Sequence, residues 1–344
     1  MKEMKLLKAQ LRQLLPWHQA RIDFLAKFLL ALLSAQSVNL TRLAQKFQGQ
    51  AQLSSHYKRL QRFFRFFDFP QETIASLVVA ILPLESGWTL CLDRTNWKLG
   101  KVNLNFLVLA VAYRGVSVPL FWTLLGKRGN SNQQERITLI ERFLDAFGKE
   151  RWDVLLADRE FLGASWFAYL HTRGLPFCVR IRSNTQVRTQ GETMPVKKLF
   201  ASLRVQESRA LSKPRTLFGM KLFVVGLRTP KDWVYLVTNH APKRALKRYG
   251  RRWEIETLFG CLKTRGFDLE ATHLVEHERL CKLFALLTLA LVWCLRQGEI
   301  LHQQKPIPVK NHGRKAKSLF RLGLEYLSYL ITNLPLKSRL FRDS

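Results

Sequence analysis

The stretch "YGRRWEIETLFGCLK", residues 249–263, sets Glu256 inside a strongly cationic segment that also holds Lys243, Arg244, Lys247, Arg248, Arg251 and Arg252. On a helix at about 100° per residue, Tyr249, Arg252, Glu256 and Lys263 share one face about 60° wide. Ile255, Leu258, Phe259 and Leu262 make the adjoining apolar face. A core helix with a solvated edge would look the same, so two other acids matter. Asp93 lies in "LCLDRTNW" and Asp158 ends "VLLADREF", both apolar runs of strand character. An acid inside such a strand is costly unless its charge is compensated. Arg94 and Arg159 are poor partners for their neighbours, because successive strand residues point to opposite faces. Three carboxylates converging without a cation would repel one another. A divalent ion that prefers hard oxygen ligands, Mg2+ or Mn2+, turns that repulsion into a binding site. Glu254 points about 160° away from Glu256 and is a poor ligand. Eight histidines show no paired spacing and argue against zinc.

The rest of the chain must position these groups and supply a partner. It has 344 residues and a net charge of +31, from 56 Lys+Arg against 25 Asp+Glu, with 47% hydrophobic residues. Basic residues interleaved with apolar ones along a folded chain point to a polyanion, chiefly nucleic acid. The five cysteines form no C-x-x-C pair, so a reducing interior is expected. No uninterrupted apolar core marks a secretory leader at the start. The longest apolar run, residues 283–295, is about seven residues short of a membrane span. It reads as a buried helix, and no membrane partner is expected.

Residues 1–85 read as an all-helical domain. Asn39 or Thr41 caps one helix, Ser54 or Ser55 the next, and Pro70 stops it. Lys58, Arg59 and Arg62 recur at helical spacing among phenylalanines, like the last helix of a helix-turn-helix bundle on DNA. From about residue 88 the period changes to strand: three strands with a hairpin at Gly115, a helix opened by Asn130–Asn132 and closed by Gly148, a strand ending at Asp158, a helix, and "PFCVRI". That is a mixed α/β order. Residues 183–232 read as a β-rich insertion in which nine basic residues between Arg188 and Arg228 face only Glu192 and Glu207. "WVYLVTN" returns to the core pattern, Pro242 opens one long helix carrying Glu256, and helices follow at 277–300 and 316–333. The expected domains are 1–85, 86–300 with the insertion, and a helical segment at 301–344.

With these residues in view, the chain resembles the DDE transposases of bacterial insertion sequences. It is similar to the subgroup whose third acid lies in Tyr-x-x-Arg-x-x-x-Glu, then six residues, then Lys. Tyr249, Arg252, Glu256 and Lys263 match that signature, and Asp93 and Asp158 match the two aspartate motifs, over roughly residues 88–300. The resemblance implies an α/β ribonuclease-H-like core. It also implies two Mg2+ (or Mn2+) held by Asp93, Asp158 and Glu256, acting in nicking and in strand transfer. The subgroup cuts the second strand through a hairpin and stacks a flipped terminal base on a tryptophan, a setting Trp233 matches. Arg252 and Lys263 would grip phosphates, and Tyr249 would hydrogen-bond a phosphate or a neighbouring side chain.

The expected protein is a cytoplasmic, nucleoid-associated bacterial transposase. It would bind double-stranded DNA, both transposon ends and target, as a homodimer. A structure-specific nuclease on the same core, or a silent transposase-derived DNA-binding protein, are the alternatives. The three intact acids argue against the last.

Overall fold

In the computed structural model, which describes residues 8–340 apart from 10, 190 and 312, the change of period near residue 88 marks a change from helix to strand. Along the chain run α1 (Gln19–Ala35), α2 (Leu40–Lys46), α3 (Leu53–Phe66), α4 (Gln71–Ile81), β1 (Trp88–Leu99), β2 (Val102–Tyr113), β3 (Val116–Leu124) and α5 (Gln133–Phe147). Then come β4 (Trp152–Ala157), α6 (Ala164–Thr172), β5 (Phe177–Ile181), β6 (Gln186–Thr189), β7 (Glu192–Pro195), α7 (Val196–Leu199), β8 (Ser208–Ala210), β9 (Arg215–Leu217), β10 (Met220–Arg228) and β11 (Trp233–Thr238). Four helices close the order: α8 (Ala245–Gly250), α9 (Trp253–Leu262), α10 (His277–Gln304) and α11 (Leu319–Leu340). The chain's first residues, read above as lacking a leader, lie outside the described ones. The chain divides into two units. One takes in the chain up to Pro83, Trp97–Leu104 and everything from Leu258. The other takes in Leu84–Asn96 and Asn105–Thr257.

The first unit is helical apart from the end of β1 and the start of β2 at Trp97–Leu104. Asn39 caps α2 by accepting from the backbone N–H groups of Thr41 and Arg42. The cap expected at Ser54 or Ser55 falls instead at Gln52, whose carbonyl accepts from Ser55 and His56 without a side-chain cap. Pro70 stands beyond the end of α3 and opens α4. Phe63 stacks on Phe24 (4.3 Å) and Phe67 (4.6 Å), so α3 turns its phenylalanine face inward against α1. Phe66 escapes this cluster and is 70% exposed. The apolar run at 283–295 is the buried middle of α10, as its composition predicts. Among the described residues no single helix is long and apolar enough to cross a membrane. Gly298 and Gly323 bring the α10 and α11 backbones into contact, because a Cβ on Gly323 would strike the Cys294 carbonyl and one on Gly298 the Leu319 carbonyl.

The second unit is built on a mixed sheet in the order β3-β2-β1-β4-β5-β11-β10, continued by β9-β6-β7, with β8 also on β10. β1–β4 and β4–β5 are parallel; β2–β3, β5–β11 and β11–β10 are antiparallel. The parallel pairs follow from the crossover helices α5 and α6. α5 begins in a full capping box, Asn132 with Glu135, and ends at Gly148. The β2–β3 hairpin turns on Arg114 and Gly115, both with positive φ, which Gly115 accepts freely. Strands from residues 183–232 extend this sheet past β11. None of the five cysteines forms a disulfide.

Candidate active site

β1 and β4 lie side by side in parallel, and their last paired residues are Leu92 and Ala157. Asp93, midway along β1, and Asp158, the first residue past β4, come next in each segment, so the register places them as neighbours where the ladder stops. Each accepts a 2.8 Å hydrogen bond from the following backbone N–H, Arg94 to Asp93 and Arg159 to Asp158. Asp158 thus lies at the carboxyl end of β4, the kind of place where open α/β sheets gather their chemistry.

The signature segment reaches this edge in two pieces. The single helix expected from Pro242 is instead a short 3-10 turn at Pro242–Arg244, then α8, a break, and α9. At the break the amides of Arg251 and Arg252 bond three residues back, to Arg248 and Tyr249. Gly250 weakens the helix there, and the arginines just beyond it are held by the sheet. Arg251 donates to Thr89 Oγ1 (3.0 Å) and the Ala112 carbonyl (2.7 Å). Arg248 pairs with Asp153 at 2.7 Å. Glu254, the acid set aside as a ligand, faces Arg251 at 3.2 Å.

Arg252, only 4% exposed, is the centre of the site. Its Nη2 donates to Glu256 Oε1 at 2.7 Å and its Nη1 to Asp93 Oδ2 at 3.4 Å. Its guanidinium also lies over the rings of Tyr249 (5.7 Å) and Trp253 (5.1 Å). The buried Nε has no hydrogen-bond partner among the described residues. The Tyr249 hydroxyl makes a long 3.5 Å contact to Asp158 Oδ1, and burial pushes its phenol up, so it stays a neutral donor. Asp93, Asp158, Tyr249, Arg252 and Glu256 therefore belong to one linked cluster in the second unit.

Burial, above all, lifts the Asp93 carboxyl to about 7, against the lowering pull of the Arg94 amide and the Arg252 charge, while Glu160 and Asp158 add smaller repulsions. Two hard oxygen donors side by side at the end of the β1–β4 ladder, one of them largely buried, have the chemistry a divalent cation suits. Glu256 is engaged by Arg252, and among the described residues no three acidic, histidine or cysteine side chains are grouped so as to hold an ion.

The other expected residues sit elsewhere. Trp233 opens β11, half-buried, its ring stacked on Tyr235 (5.8 Å) with the Arg228 guanidinium 5.2 Å above it. Lys263 belongs to the first unit, paired with Glu270 at 2.9 Å and 5.5 Å over the Trp97 ring. Arg59, Lys58 and Arg62 are in the first unit on α3. Arg59 lies over Phe24 at 5.4 Å, while Lys58 and Arg62 line a groove with Gln61, Arg65, Phe66 and Arg279.

Two residues escaped sequence reasoning. Arg180 of β5 sits one position past Val179, the partner of Ala157, and so extends the row begun by Asp93 and Asp158. It donates to Asp232 (2.8 Å) and to the Trp233 carbonyl (3.1 Å). A cation inside the apolar run "FCVRI" was the available signal. Glu160 pairs with Arg94 and had no local signal at all.

Residues 86–293 match the Transposase DDE domain family. The chain belongs to that family. Transposase DDE domains typically use divalent metal ions and belong to enzymes that cut and join DNA. The fold is similar to that of a piggyBac transposase solved in a synaptic complex with hairpin DNA, at 12% identity and a TM-score of 0.50, over 94% of this chain and 73% of that one. At that identity the likeness concerns the fold. No curated protein sequence matches the chain.

Proposed function

We propose that this DDE transposase is the enzyme of a bacterial insertion sequence. It binds the terminal inverted repeats, cuts the ends through a hairpin and joins them to target DNA, as a homodimer on two ends in the bacterial cytoplasm. The observation that carries the reading is the adjacency of Asp93 and Asp158 where the ladder between parallel β1 and β4 stops, with Glu256 linked to Asp93 through Arg252. The Tyr-Arg-Glu-Lys spacing of residues 249–263 supports the insertion-sequence subgroup, and the β-α-β order of β4, α6 and β5 supports a ribonuclease-H-like core.

Asp93, Asp158 and Glu256 would hold two Mg2+ (or Mn2+). When bound, such ions activate the attacking hydroxyl and stabilise the leaving oxygen of an in-line displacement. Arg252 shares its single positive charge between Glu256 and Asp93 and would grip a phosphate near the scissile bond. Tyr249 donates its phenolic proton as a hydrogen bond. Lys263 supplies a point charge to a phosphate. Trp233, already stacked on one face, presents an aromatic surface to a flipped base. Lys58, Arg59 and Arg62 contact the DNA backbone.

The test supplies the full chain with Mg2+ and labelled DNA from either side of its own gene. Nicking, a hairpin and joined product are expected. Nicking without joining would make it a nuclease, and retention without cleavage a binding protein.

A further inference from the structure

The ladder between β1 and β4 ends at Leu92 and Ala157. Beyond it no β1–β4 backbone pairing sets the distance between Asp93, still within β1, and Asp158, just past β4. A side-chain device spans the same gap. Arg94 follows Asp93 and points to the other face of β1, where its fork closes on Glu160: Nε to Oε1 at 2.6 Å and Nη2 to Oε2 at 2.8 Å. Both side chains are largely withdrawn from solvent, at 14% and 25% exposure. A bidentate guanidinium–carboxylate pair fixes orientation as well as distance.

The pair is held in place from both ends. Arg94 Nη1 donates to Asn105 Oδ1 (3.1 Å) and to the Gly129 carbonyl, and Nη2 also donates to Asn130 Oδ1 (2.9 Å). Asn105 donates in turn to the carbonyls of Lys127 (3.3 Å) and Gly129 (3.0 Å). On the β4 side, buried Arg136 donates to the Glu160 carbonyl (3.3 Å) and lies 5.0 Å over the ring of fully buried Phe161, whose amide bonds back to the Asp158 carbonyl. The turn after Asp158 is thus clamped to the residue after Asp93.

We infer that Arg94 and Glu160 are positioning residues that set the separation of the Asp93 and Asp158 carboxylates for divalent-ion binding. This rests on the proposed metal role of those aspartates. Groups that orient metal ligands from behind are worth about ten- to a hundredfold in affinity or activity. Arg94→Lys keeps the charge and loses the fork; Glu160→Gln keeps the shape and loses the charge; Glu160→Asp keeps the charge and shortens the reach.

Mn2+ is titrated calorimetrically into the full chain for wild type, these three variants and Asp158→Ala, with melting curves and end-binding gel shifts alongside. Wild type binds and Asp158→Ala does not. Arg94→Lys and Glu160→Gln bind about ten- to a hundredfold more weakly, Glu160→Asp falls between, and DNA retention is unchanged. Wild-type Mn2+ affinity in the folded variants overturns the inference alone, even if they melt earlier, since the pair would then be merely structural. Should one variant fail to fold, the others decide. If wild type binds no Mn2+, or Asp158→Ala binds it equally well, the metal role itself falls and this inference falls with it.

Discussion

Arg252 and Glu256, four residues apart, are joined by a 2.7 Å hydrogen bond across the start of α9, and the same guanidinium reaches Asp93 at 3.4 Å. The acid that looked anomalous in a cationic segment is held by one of those cations. One buried arginine therefore serves as counter-charge to two of the three expected ligands. Arg252→Gln leaves Asp93 buried without a cation, a loss of at most about 3–5 kcal/mol. Asp93 can relieve part of it by taking up a proton. Thermal melting of the protein without DNA should fall by several degrees, at about 2–4 °C per kcal/mol, and Arg252→Lys should fall less. An unchanged melt in Arg252→Gln would show that the pairing carries no stability.

Asp93→Ala, Asp158→Ala and Glu256→Ala should each cut end cleavage by at least about a hundredfold, the scale seen on disturbing a metal's supporting groups. Binding of the same DNA should hold in a gel shift. Loss of binding together with cleavage would mark the acids as structural.

Trp233 already has a neighbour on its ring in Tyr235 and a cation over it in Arg228. Trp233→Ala should slow hairpin formation more than the first nick, followed on a denaturing gel. A fluorescent purine at the terminal position should brighten less on binding to the variant than to wild type. Equal slowing of both steps would remove the stacking role.

DNA affinity should fall steeply with salt, because phosphate contacts release counterions. Lys58→Ala and Arg62→Ala should each lower the slope of log K against log salt by about 1 without altering sequence preference. A slope unchanged in both would place the contacts elsewhere.

The α10–α11 crossing in the first unit depends on glycine at 298 and 323. Gly323→Ala should destabilise by about 1–3 kcal/mol as the helices are pushed apart, measured by denaturant unfolding. A midpoint equal to wild type would mean that the helices separate at no cost.

Much of this protein was legible locally. The switch of hydrophobic period near residue 88, the caps at Asn39 and Asn132 and the buried run at 283–295 each depend on neighbours a few residues away, which is the range over which propensity and patterning act. The acids could be singled out for a similar reason: a carboxylate in an apolar strand is costly wherever the strand goes. Other features depend on residues far apart in the chain. Only the pairing of Leu92 with Ala157 makes Asp93 and Asp158 neighbours, because register is set by how whole strands pack. The break at Gly250–Arg252 was hidden because the contacts that hold it, Thr89 and the Ala112 carbonyl, are more than a hundred residues away. Arg94 shows the division most clearly. Alternation along the strand already denied it Asp93, but only the folded chain could bring Glu160 to it, since two side chains 66 positions apart meet through tertiary packing alone.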